Sequence, residues 1–343
     1  MNPRNLSATA CLLMAGLLTG ISQAGCSSSS PQGGKDASAL THSSAKVPEV
    51  PPFKAEPVDQ KLRQRAQAQV KASANSPSAF IRAHAIEACR QALPVEGRSI
   101  ILAGISDDVP LVKFSALVAA GELRITDAYR PALPWVKATD KSVSMAAIFC
   151  VHRLGDRRFS HEFEKAATNQ DHYIRANTAL LLGMMGEPSA DRILQYLLKD
   201  VDPIVRLQAA EALWRLHHEE ALEVLISATI SRYPDDQMIA ATALAAPRDP
   251  RVIGHLRGML STAYPEINLV AARGLGALGH DDGYGVAIKY LESPDLRQRQ
   301  LAAMALGAIG RIDAQSKLAP MLDNKDEDVR LAAATGLLQL KGQ

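Results

Sequence analysis

The residues most capable of chemistry in this chain are two His-Glu dipeptides, His161-Glu162 and His218-Glu219. An imidazole nitrogen beside a carboxylate is a donor pair for a transition metal, and two such pairs converging could hold two ions. Two further groups invite the same question. Cys89 and Cys150 could be nucleophiles or a disulfide, and carboxylate–guanidinium pairs recur four residues apart, as Asp171 with Arg175, Asp202 with Arg206, Asp295 with Arg299 and Asp326 with Arg330. Whether any of these meet depends on the elements that carry them.

Those elements are written in a 31-residue register. Stepping from Arg206 reaches Arg82, Lys113, Ser144, Arg175, Gln237, Asn268, Arg299 and Arg330, with no insertion or deletion. Three residues after each anchor stands Ala or Thr, and Leu dominates seven after. A strict period of this length marks a repeat array, each unit a helix pair unable to bury both faces alone. The first helix of each unit opens on Asp at −4 (Asp140, Asp171, Asp202, Asp295, Asp326) or Pro at −3 (Pro110, Pro203, Pro234, Pro265). Several units close on Gly at +11 (Gly155, Gly186, Gly279, Gly310). These are the N-cap, first-turn and C-cap signals of helices. A second apolar stripe near +19 and +23, such as Leu194 with Leu198 and Leu318 with Leu322, predicts the partner helix. Leu62, Ala66 and Val70 put residues 58–74 in register as the second helix of a preceding unit, a cap on the array. At the other end the ninth unit stops after its first helix. It reads as a terminal cap with a small apolar patch at Leu338.

The expected fold is therefore all-α, an alpha-alpha superhelix of about nine repeats. The D-P-x-V-R-x-x-A-A-x-A-L skeleton from Asp202 to Leu213, with its helix pair and following Gly, resembles HEAT repeats, most closely the short HEAT-like subtype of phycobilin lyases. The resemblance covers about residues 58–343 and implies a protein-binding scaffold. HEAT-like deoxyhypusine hydroxylases share the architecture and imply a di-iron site of His-Glu pairs on successive helices, and an enzyme of that oxidoreductase or lyase group is the alternative reading. Here the two dipeptides fall at +17 and +12 of their units, so they do not occupy equivalent places. Recurrence makes the Asp–Arg pairs scaffold, with each Arg bridging to its Asp or to a neighbouring repeat. Cys89 and Cys150 sit two repeats apart at inward positions. That is roughly 20 Å at ordinary helix spacing, too far for a disulfide, and predicts buried free thiols.

Arg4 followed by an apolar stretch from Ala8 to Ile21, then Ala24-Gly25-Cys26, has the form of an export signal. With SSSS after the Cys it resembles a bacterial lipoprotein signal, although Gln23 stands where that family has an aliphatic residue. The resemblance implies a signal peptide over 1–25 and lipidation of Cys26, anchoring the chain in the outer membrane of a bacterial envelope. Residues 26–56, rich in Ser, Pro and Gly, predict a flexible tether, and 57–343 the solenoid. A net charge of +2 and 4% aromatic residues argue against nucleic acid as a partner. The reading is a monomeric scaffold that binds protein or peptide partners, with no catalysis and no cofactor. Its candidate contact residues are Arg130, Lys165, Tyr196 and Arg257 on second helices, expected on the inner surface. Pro247 ends one first helix early and marks the likeliest change of curvature.

Overall fold

A computed structural model describes residues 47–341, so the signal, Cys26 and the tether up to residue 46 lie outside the described residues. A first helix, α1 (Gln60–Ser73), is followed by eight helix pairs and one single helix. The first four pairs are α2 (Ala79–Ala92) with α3 (Arg98–Gly104), α4 (Pro110–Glu122) with α5 (Tyr129–Ala132), α6 (Lys141–Arg153) with α7 (Glu162–Ala166), and α8 (His172–Met185) with α9 (Asp191–Leu197). The next are α10 (Pro203–Arg215) with α11 (Glu219–Ala228), α12 (Pro234–Ala245) with α13 (Ile253–Gly258), and α14 (Pro265–Ala277) with α15 (Tyr284–Tyr290). Last come α16 (Leu296–Ile309) with α17 (Gln315–Leu318), and the single α18 (Glu327–Gln339). Even-numbered helices are the long first helices of the units, and the shorter odd-numbered ones are extended by 3-10 turns such as Leu133–Lys137 and Ala319–Asp323. The chain is an all-α HEAT-like superhelix.

The first helices form where the sequence caps them. The side chains of Asp140, Asp171, Asp202, Asp295 and Asp326 accept hydrogen bonds from backbone N–H groups of the turn that follows. At the far ends Gly155, Gly186, Gly279 and Gly310 take φ between 68° and 103°, the left-handed conformation that closes a helix without a Cβ penalty.

The ends of the array meet. α18 packs on both α1 and α2, so the nine even-numbered helices form an inner layer closed on itself. Arg65 donates to Asp323 at 2.7 Å, Ser76 to Glu327 at 2.9 Å, and Gln339 to Gln91 at 3.3 Å across the seam. The reason is one of phase. The folded chain begins on a second helix and ends on a first helix, so α1 supplies the outer helix that the ninth unit lacks. Leu62 lies with Leu337 and Leu340, and Leu338 is only 4% exposed. The C-terminal helix is thus no edge, and the apolar patch expected at Leu338 is covered. Nine units closing one circle turn about 40° each.

Closure crowds the inner layer, which is why small residues line it. A Cβ on Gly276 would lie 2.5 Å from the backbone nitrogen of Ile309. The helices approach backbone to backbone, as close packing of small residues permits.

The extended segment 47–59 is part of the folded body rather than of the tether. Arg311, buried, donates to the Pro51 carbonyl at 3.0 Å and carries Phe53 over its guanidinium. The Lys54 N–H donates to Asp313 at 3.3 Å, and Gln315 donates to the Pro57 carbonyl at 2.9 Å. The folded body therefore includes residues 47–56, which composition assigns to the tether.

The anchor arginines do not pair with the Asp four residues before them. Each reaches back to the carbonyls that end the preceding unit: Arg206 to Asp200 and Val201 at 2.7 and 2.9 Å, Arg330 to Asn324 and Lys325 at 2.7 and 3.0 Å. Three of the four units without Arg keep a bond of this kind, while Lys113 lies over the Trp135 ring. Gln237 donates to the Ser231 carbonyl at 2.6 Å, Asn268 to Thr262 at 3.2 Å, and the Ser144 hydroxyl to Val136 at 2.8 Å. These departures conserve a backbone seal, so they do not mark a site.

Two of these arginines also hold carboxylates of the same loops, Arg82 with Asp107 and Arg175 with Asp200. Burial pushes the Asp107 carboxyl up, but hydrogen bonds from Arg82 and the Val109 N–H outweigh it and leave it lowered. Arg175 holds Asp200 below the usual carboxylate range. Because both folded-state values are depressed, their contribution is present above the unfolded pKa of about 3.9 and is lost as pH falls through the folded values. The melting temperature should therefore hold from pH 7 to 5 and fall below about pH 4. In a variant carrying Arg82→Ala and Arg175→Ala the acid drop should be smaller. An equal drop in the variant would show that other carboxylates set it.

Candidate functional site

The ring has two edges. At one, the C-terminal ends of the inner helices gather around the axis, where the helix dipoles favour cations. Arg90, Glu122, Leu180, Met184, Arg215, His217 and Pro247, from five different units, line a depression of about 300 Å³ there. Burial works against the Arg90 guanidinium, but Glu87 and Glu122 prevail and its pKa is raised; Arg215 is held by Glu211 at 2.8 Å. Arg273, from the seventh unit, lies close enough to feel Glu87 and Arg90 of the first. Pro247 follows the end of α12 at Ala245 and lines this mouth, so the early helix stop does have a place in a depression.

Among the described residues three non-glycine residues have positive φ, and all occupy the +11 position: Arg124 at 51°, His217 at 66° and Arg248 at 60°. Side chains bearing Cβ are strained in this conformation by about 1 kcal/mol each, and glycine does the same work in four other units. Basic side chains therefore stand around the mouth at positions the fold would fill more easily with glycine. This signal was available in the sequence by comparing +11 across the units. A smaller pocket of about 190 Å³ beside the mouth is lined by Arg124, His152, Arg153, Gly155, Arg157 and Glu187.

At the other edge, the second helices hand over to the next first helices. In four consecutive units this loop exposes an apolar side chain: Val201 at 91%, Ile230 at 84% with Tyr233, Tyr264, and Leu296. Arg232 stacks on the Tyr233 ring, 4.8 Å from its centroid.

The sequence candidates are not brought together. The odd-numbered helices are the outer layer, so Arg130, Lys165, Tyr196 and Arg257 sit on the outer wall of four different units, not on the inner surface. First helices occupy the inside because their small residues allow the tighter circle. Lys165 pairs with Glu162 at 2.7 Å and Arg257 with Asp282 at 2.8 Å, while Tyr196 is exposed. His161 contacts Glu162 at 3.0 Å; His218 contacts Asp191 at 2.8 Å and Glu220 at 3.3 Å, two units away. Cys89 and Cys150 are buried free thiols, and burial pushes both up to about 12. Among the described residues no helix is long and apolar enough to cross a membrane.

Comparison with known proteins follows the architecture. The family model for HEAT repeats matches residues 190–267 and 259–338. Residues 190–338 are thus HEAT repeats. Deoxyhypusine hydroxylase of Drosophila pseudoobscura pseudoobscura is 32% identical over 81 residues, 23% of this chain and 27% of that one. The chain thus matches only about a quarter of that relative's length. Among solved structures, the HEAT-like ring is similar to the CpcE–CpcF complex of phycocyanin lyase from Nostoc sp. PCC7120 (TM-score 0.43, 17% identity, 75% of this chain and 98% of that one). It is also similar to human deoxyhypusine hydroxylase (TM-score 0.39, 16% identity, 72% and 96%).

The 81-residue match corrects the expectation that the chain has no catalysis of its own: the relative that shares it is a hydroxylase. The iron pair implied by a hydroxylase does not fit the residues of the HEAT-like ring. Among the described residues no three His, Cys, Asp or Glu side chains converge to hold a metal.

Proposed function

We propose that this HEAT-like ring binds a protein partner across the edge where second helices lead into first helices, and that lipid on Cys26 holds it at a bacterial outer membrane. The observation that carries the first half is the run of exposed apolar side chains, Val201, Ile230, Tyr233, Tyr264 and Leu296, on four consecutive loops. Adjacent apolar groups on a rigid scaffold, with tyrosines among them, are the composition of a contact surface. Tyr196, at the end of α9, adjoins this edge. The second half rests on the N-terminal sequence.

A photo-crosslinking residue in place of Tyr233 in the full chain should give one discrete adduct in membranes. Tyr264→Ala with Ile230→Ser should reduce it at least tenfold. No adduct, or one indifferent to those changes, would overturn the proposal. Cys26→Ala should move the chain to the soluble fraction, and its retention at the membrane would remove the lipid anchor.

A second reading, catalysis of the hydroxylase or lyase kind, is favoured by the 32% identity over 81 residues. Metal analysis of the purified chain addresses it: stoichiometric iron would support this reading and would mean ligands beyond the described residues.

A further inference from the structure

Arg124 and Arg153 are neighbours with no carboxylate of their own. Of the nearby acids, Glu122 gives one oxygen to Arg90 at 2.8 Å while its buried Oε2 has no hydrogen-bond partner among the described residues, and Glu187 is shared between Arg157 at 2.8 Å and His152 at 3.2 Å. The Nε of Arg153 is buried and meets no hydrogen-bond acceptor among the described residues. Burial lowers the Arg153 pKa and the charge of Arg124 lowers it further, only partly offset by the charges of Glu122 and Glu187, so the two guanidiniums repel. The 190 Å³ pocket they line is completed by His152, Gly155, Arg157 and Glu187, the last held by Arg157 and His152. Arg124 is also one of the strained +11 residues, with φ of 51° at a position where Gly155 serves the next unit at no cost. Two repelling, under-satisfied cations around a cavity are stabilised by an anion that bridges them.

We propose that the pocket between Arg124 and Arg153 binds a small oxyanion, a phosphate or carboxylate group, with both guanidiniums as forked donors and Arg157 at its rim. Arg153 Nε supplies the donor that otherwise goes unused. Arg124 closes over the anion from the end of α4, and its left-handed backbone is what aims it there rather than outward along the helix. The site lies at the mouth edge, away from the apolar loops, so it stands or falls independently of the partner surface.

The test uses the full chain at constant ionic strength, titrated with inorganic phosphate, with citrate, and with chloride as the reference. Phosphate or citrate should bind saturably by calorimetry and raise the melting temperature where chloride does not, and the tighter of the two identifies the group. Arg153→Gln should weaken that binding at least tenfold. Arg124→Gly relieves the strained backbone, so it should melt no lower than the parent in chloride yet lose at least tenfold in anion affinity. This pairing separates a lost ligand from a damaged fold. Absence of saturable binding of either anion to the parent overturns the proposal, as does undiminished binding in both variants.

Discussion

Removing residues 1–76, and with them the docked strap and α1, should lower the melting temperature by about 10 °C or more and broaden the transition. The deletion strips the outer helix from the ninth unit. Leu62, Ala66 and Val70 leave, and Leu337 of α18 and Leu340 just beyond it lose their cover. Each Leu-sized burial contributes ~1.5–3 kcal/mol, so several together approach the whole stability of an ordinary domain. A solenoid with two free ends also frays from them, because each unit is held only by its neighbours. A synthetic peptide of residues 47–76 added in trans should restore part of the loss by re-forming the seam. An unchanged midpoint after the deletion would mean that α18 needs no cover and that closure contributes little.

Gly276→Val should cost about 3 kcal/mol or more. The new Cβ would meet backbone atoms of Ala308 and Ile309 at 2.5–2.9 Å, and backbone cannot rotate away as a side chain can. α14 and α16 would have to part, and in a closed ring their displacement has no free end into which it can relax. Gly254→Ala, in α13, is the matched control. Nothing lies within 4 Å of its added Cβ, so it should be neutral or stabilise by about 0.5 kcal/mol. Chemical denaturation of the two variants beside the parent decides the matter. Equal stabilities would contradict backbone-limited packing of the inner layer.

The helix pairs were legible because their caps and stripes recur at one period: Asp202, Pro203 and Gly186 do locally what the sequence rules say they do. Closure was not, since a 31-residue period fixes the unit and leaves open the turn between units. The decisive hint was present in the phase of the ends, residues 58–74 as a second helix without a first and α18 as a first helix without a second. The anchor Arg showed its partners only in three dimensions, for a contact to the carbonyl six residues back leaves no residue-type signature. The orientation of the layers was misread for a related reason. Tyr196 and Arg257 lie on the outer wall because the small residues at +3 and +6 let first helices occupy the tighter circle. Compositional reading placed residues 47–56 in the tether because Pro-rich extended chain lacks apolar period. Its anchorage comes instead from one buried Arg311 and its carbonyl and ring contacts.

The measurement that addresses the closed ring most directly is the distance between its ends. Nitroxide labels in place of Arg65 and Asp323, exposed residues whose side chains meet at 2.7 Å, can be read by pulsed electron paramagnetic resonance. Closure predicts a single narrow distribution centred below about 25 Å, the span of two label arms around one ion-pair contact. An open array of nine units spaced about 10 Å apart would separate them by several tens of ångströms. A distribution centred beyond about 50 Å would contradict the ring.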